Sequence, residues 1–197
     1  MMLRRFAAVV SLAALLAGCG AKSTVGEAQP AESTASSSSS TTAAATESAP
    51  ADTWVVVDGD GFDARMPGTP ERQLQNQDSA VGTVPLELFT YDRGSDALLV
   101  SGIRFPPNTT YDLDAGVAGA AKNTGTSIAE SVTDELDGAE ARRFRLSGLS
   151  DGVEVTMFGV VAEKNSVVVL VQYVVQGTTT TAPADFEKLI DSVTFDA

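Results

Sequence analysis

Ser166-Val167-Val168-Val169-Leu170-Val171-Gln172-Tyr173-Val174-Val175 contains a five-residue run, Val167 to Val171, that is apolar at every position. Successive side chains of a strand point to opposite faces, so a run without alternation buries both faces. Nine or ten apolar residues are too few for a membrane helix, which needs about 20. The stretch therefore reads as the central strand of a sheet that carries a layer on each side.

The neighbouring sequence extends this sheet. Lys164-Asn165 is a turn, preceded by a strand from Val153 to Glu163. The Gly148–Gly152 turn separates that strand from Ala139–Ser147. Asp137-Gly138 is a strong two-residue hairpin signal, and Thr126–Leu136 leads into it. Before Gly125 the period changes. Leu113, Val117, Ala120 and Ala121 fall on one helix face, with Asp112 placed as N-cap. Gly116 and Gly119 each weaken that helix by about 1 kcal/mol relative to Ala. A closing helix is predicted from about Pro183, with Phe186, Leu189, Ile190 and Val193 as its apolar stripe.

Upstream, Trp54–Val57 is a short apolar run and Asp58-Gly59-Asp60-Gly61 a turn. Phe62–Met66 alternates until Pro67-Gly68-Thr69-Pro70 stops it. Two further strands are expected at Pro85–Tyr91 and Ala97–Phe105, the second ended by Pro106-Pro107. The fold class that follows is α+β: a twisted, mostly antiparallel sheet with helices packed on it, over residues 54–197.

Trp54 and Gly61-Phe62-Asp63-Ala64-Arg65-Met66-Pro67-Gly68-Thr69-Pro70 resemble the opening of small exported domains with the PsbP/Mog1-like α/β/α sandwich. The end of the chain, Phe186 to Phe195 with Ser192-Val193-Thr194-Phe195, is similar to their closing helix and last short strand. Such domains are common in actinobacterial lipoproteins. The resemblance implies an α/β/α sandwich and a non-catalytic accessory or binding role. It implies no particular ligand and no functional residues.

The N-terminus reads as an address. Arg4 and Arg5 precede an apolar run, Phe6 to Leu16, interrupted only by Ser11. Its length suits a secretory signal and not a membrane span. Leu16-Ala17-Gly18-Cys19 resembles a bacterial lipobox. That resemblance implies a signal peptide over residues 1–18, cleavage between Gly18 and Cys19, and a diacylglyceryl group on the Cys19 sulfur. Two or more acyl chains, palmitate among them, anchor a protein stably where one does so marginally. Residues 20–53 hold 8 Ser, 6 Thr and 9 Ala among 34. Such a segment buries too little apolar surface to offset its conformational entropy, so residues 19–53 are expected to be a lipidated Cys followed by a disordered linker. A flexible chain of this length spans about 30 Å end to end.

Composition excludes several chemistries. The 197 residues contain no His and one Cys. A Ser-His-Asp or Cys-His pair, a His-ligated metal and an internal disulfide are all ruled out. With 13 basic and 26 acidic residues the net charge is −13, which argues against nucleic acid as a partner. Removal of residues 1–18 takes away two Arg and no acid, which leaves 11 basic against 26 acidic residues.

Three clusters have both a chemical and a structural reading. Gly148-Leu149-Ser150-Asp151-Gly152 matches G-x-S-x-G, but that mechanism needs a strand-to-helix turn and a histidine base. A hairpin turn accounts for the same glycines. Asp58, Asp60 and Asp63 crowd a Gly-rich turn without the spacing of a Ca²⁺ loop, and Asp-Gly pairs are ordinary turn formers. Arg142, Arg143 and Arg145 form the basic cluster of an acidic domain. Strand parity puts Arg142 with Phe144 and Leu146, and Arg143 with Arg145 on the other face. Cross-strand pairing with Glu140 or Glu154 explains them structurally. An anion or lipid-headgroup contact is the functional reading, with Arg143 and Arg145 as candidate binding residues.

No catalytic residue, metal ligand or cofactor site is expected. The expected function is that of an exported lipoprotein, anchored at the extracytoplasmic face of the cell membrane, whose domain is a non-catalytic accessory or binding module of the cell envelope. The partner would be an envelope protein. The alternative is a carrier holding a lipid-like or other small apolar ligand in an internal cavity.

Overall fold

The computed structural model describes residues 53–79 and 81–196. The expected signal peptide, its cleavage point at Gly18 and Cys19, the lipid attachment at Cys19 and nearly all of the linker lie outside the described residues.

Ten strands and two helices follow one another as β1 (Trp54–Gly59), β2 (Phe62–Pro67), β3 (Glu71–Ser79), β4 (Gly82–Asp92), β5 (Asp96–Arg104), α1 (Leu113–Thr124), β6 (Thr126–Leu136), β7 (Ala139–Ser150), β8 (Val153–Lys164), β9 (Val167–Gln176), α2 (Ala184–Ile190) and β10 (Thr194–Phe195). Seven of them form one sheet in the order β3-β4-β5-β9-β8-β7-β6, and three form a second in the order β1-β2-β10. Every pairing is antiparallel. The apolar run Val167–Val171 thus lies on the middle strand, β9, where it is buried throughout.

Parity along β9 divides the core. Val167, Val169 and Val171 face Phe62, Met66, Phe186 and Leu189. Val168 and Leu170 face the other way, with Val117, Ala120, Phe144 and Met157. Three hairpin turns in the meander use left-handed backbone at Asp137-Gly138, Asp151-Gly152 and Asn165-Ser166, as type I′ turns require. Helix α1 starts at Asp112, whose side chain accepts the Ala115 N–H at 3.0 Å. It buries Gly116, Val117, Ala120 and Ala121.

The expected α/β/α sandwich with a PsbP/Mog1-like arrangement is corrected by this architecture. The fold is mostly β and sandwich-like, with two antiparallel sheets and two helices. A strand buried on both faces demands a layer on each side but does not say what the layer is made of. One layer is α1. The other is the β1-β2-β10 sheet, with the seven-residue α2 beside it. Strand β3 had no apolar period to reveal it: in Glu-Arg-Gln-Leu-Gln-Asn-Gln-Asp-Ser only Leu74 is a large hydrophobe.

Phe62 joins the two sheets. It is fully buried on β2, opposite Gly59 of β1. Its ring also lies over Gly102 of β5. A Cβ at either glycine would come within 2.2 Å of a ring carbon. The ring meets Phe89 edge-on, with centroids 6.3 Å apart.

Asp137 ties β10 to the meander. Its Oδ2 accepts the Phe195 N–H at 2.9 Å and the Lys164 ammonium at 3.1 Å. The backbone bond from Phe195, then that from Lys164, holds this carboxyl below the usual Asp range. A carboxyl depressed in the folded state contributes stability above its unfolded value and loses it as pH falls through the folded one. Asn tolerates the left-handed conformation of the turn, so Asp137→Asn removes mainly the charge. The wild type is expected to melt a few degrees above this variant near neutral pH, and the gap should close in acid. A gap constant from about pH 7 to about pH 2 would rule out the charge as its cause.

Candidate functional site

Strand β7 carries the three arginines, on the faces that parity predicts. Arg142 lies on the α1 side. Its guanidinium donates to Asp114 of α1 and to Glu140, both at 2.8 Å. Arg143 is on the opposite face and donates to Asp134 of β6 at 2.7 Å and to Glu187 of α2 at 2.9 Å. Arg145 lies nearest to Glu130 of β6, at 3.7 Å. Partial burial works against the Arg143 charge, but the bonds from Asp134 and Glu187 outweigh it and raise its pKa. Burial likewise works against the Asp134 charge, and the Arg143 bond prevails and lowers its pKa.

Arg142 and Arg143 are thus held by acidic partners, whereas Arg145 reaches Glu130 only at 3.7 Å and its buried Nε has no hydrogen-bond partner among the described residues. Arg142 fastens α1 to the sheet, and Arg143 fastens α2 and the edge strand β6 to β7. Glu140 is among the partners that the sequence suggested. Glu154 instead accepts the Thr178 hydroxyl at 2.6 Å. Asp114, Asp134 and Glu187 lie on other elements, and no local spacing ties them to β7.

The remaining clusters resolve into structural roles. Gly148-Leu149-Ser150-Asp151-Gly152 runs through the β7–β8 hairpin, with Ser150 opposite Val153. This is not the strand-to-helix turn of a nucleophile elbow. Asp58 and Asp63 face each other across the β1–β2 hairpin, while Asp60 pairs with Arg104 at 2.8 Å. Among the described residues no three His, Cys, Asp or Glu side chains gather as a metal site. No helix among them is long and apolar enough to cross a membrane.

A pocket opens between α1 and the sheet. Leu86, Ile103, Val117, Phe144, Val161 and Leu170 supply apolar walls, and Gln77, Ser101 and Tyr111 polar ones. Its volume is about 30 Å³. A cavity that takes up benzene measures about 150 Å³, so this one suits a water or two and not an acyl chain. Gln172 lies on the same sheet face, diagonal to Ser101 across the β5–β9 pair. It is 1% exposed, and neither its amide oxygen nor its nitrogen has a hydrogen-bond partner among the described residues. Gln77, Ser101 and Gln172 were not singled out from sequence. The signal was present at Gln172, which shares the inward parity of Val168 and Leu170.

No family model matches this chain, and no curated protein matches it. Among solved structures, a Bacteroides thetaiotaomicron protein is 14% identical with a TM-score of 0.41, over 69% of this chain and 45% of its own. A Pseudomonas aeruginosa protein of unknown function is 12% identical with a TM-score of 0.36, over 68% of this chain and 86% of its own. The chain thus spans less than half the length of the first of these.

Proposed function

We propose that this chain is an exported lipoprotein, anchored through Cys19 at the extracytoplasmic face of the cell membrane, whose domain is a non-catalytic binding or accessory module of the cell envelope. The observation that carries this reading is Leu16-Ala17-Gly18-Cys19, placed at the end of the apolar run Phe6–Leu16 and holding the one Cys of the sequence. A tether of Ser, Thr and Ala, about 30 Å in reach, suits a domain that works some distance from the lipid surface. The absence of His from the sequence supports a binding role over acid-base catalysis. The small volume under α1 supports docking to a protein over carriage of a lipid. Arg143 is engaged by Asp134 and Glu187, so contact with an envelope protein would draw on Arg145 or on other surfaces.

Labelling of expressing cells with a fatty-acid analogue tests the anchor. The wild type should take up label and sediment with membranes. Cys19→Ala should do neither, while its domain stays folded. Equal label on both proteins would overturn the proposal.

A further inference from the structure

Among the described residues the seven-stranded sheet ends in two strands paired on one side only, β3 and β6. An open edge presents unpaired N–H and C=O groups and is a template for another strand. The β6 edge is blunted. Its register slips between Ile128 and Glu130, and its charges, Glu130, Asp134 and Glu135, are all acidic. Two copies of β6 would set acid against acid.

Strand β3 differs. It is a regular nine-residue strand with no register shift against β4. Its sequence is complementary to itself when run antiparallel about Gln75. In that register Arg72 of each copy, whose guanidinium pairs with Glu87 of β4 yet stays 58% exposed, faces Asp78 of the other, Gln73 faces Gln77, and Leu74 faces Asn76. A twofold axis through the sheet pairs only residues of equal parity, because opposed side chains share a face. Among such registers, only the one centred on Gln75 puts Arg72 against Asp78. Leu74, at 70% exposure the most exposed large hydrophobe among the described residues, would lie beside the axis and diagonal to its own copy. On the other face, Gln73 donates to Glu71 at 3.1 Å and Gln75 donates to Gln73 at 3.3 Å. This amide row ends at the axis, where two Gln75 side chains would meet.

We infer that the chain forms a twofold dimer by antiparallel pairing of β3 with β3 about Gln75, which joins the two seven-stranded sheets into one. The partner is a second copy of this chain. Opposed charges across antiparallel strands stabilise the pairing, and symmetry supplies two such pairs. Backbone bonds along the edge supply the remainder.

Cysteine crosslinking of the full-length chain in membranes of expressing cells, with copper phenanthroline as oxidant, tests both the partner and the register. Opposed residues at the axis lie about 5 Å apart, within disulfide reach. Gln75→Cys should give a crosslinked dimer. Gln73→Cys, set four residues away from its own copy and so roughly 14 Å from it, should give little. The unaltered chain, which retains Cys19, sets the background. Adding Asp78→Arg to Gln75→Cys brings like charges together and should cut the dimer roughly fivefold, or more. No crosslink at residue 75, equal crosslinking at 73 and 75, or no effect of Asp78→Arg would each overturn the proposal. Occupation of this edge by the linker or by another protein would appear as the first of these.

Discussion

Phe62→Ala is expected to destabilise the domain by about 3–5 kcal/mol, the range for removing a fully buried Phe. The position argues for the upper part of that range. The ring lies between Gly59 and Gly102, and neither has a side chain to move into the space it would leave. Phe89 would lose its edge-on partner. Phe195, opposite Phe62 across the β2–β10 pair, would lose its neighbour as well. The loss falls on the joint between the two sheets, so it should appear as a lower midpoint of one cooperative transition. For a domain of this size the melting temperature should drop by roughly 10–15 °C. Gly102→Ala should be destabilising from the opposite direction, because its Cβ would overlap the ring. Denaturant melts of the two variants check the account. A loss below about 1 kcal/mol for Phe62→Ala would show that the sheets are held together elsewhere.

Phe62 also marks where the sequence stopped being informative. Its strand was legible because Phe62, Ala64 and Met66 alternate with polar residues. The destination of that apolar face was not, because alternation says that a face is buried and not what buries it. The same limit produced the α/β/α expectation. Val167–Val171 required cover on both sides, and a resemblance supplied helices where β1, β2 and β10 provide one of the layers. The local signals were stronger. Asp137-Gly138 needs left-handed backbone and takes it, and Asp112 caps α1 with its own side chain. Strand β3 lay beyond reach because an edge strand with two polar faces has no period. The arginines show the same division. Parity put Arg142 and Arg143 on opposite faces, but Asp114 and Glu187 reach them from helices distant in the chain. Long-range partners of this kind leave no trace in spacing.

Gln172→Met is expected to stabilise the domain, by about 1–3 kcal/mol, the cost of an amide buried without its hydrogen bonds. Gln172 is on the central strand, opposite Leu99 on β5 and Gly159 on β8. Phe144 covers Gly159 from the next strand, so close that a Cβ there would come within 2.2 Å of the ring. The surroundings on this face are apolar, with Leu170 buried and Val174 packed against the same core. Met is unbranched, similar to Gln in length and flexible enough to settle among these neighbours, so the exchange removes a polar cost and adds little strain. The unfolded chain loses nothing comparable, because in water the amide is solvated. The melting temperature should rise by several degrees. A fall would overturn the view that an unpaired amide costs the domain stability at this position.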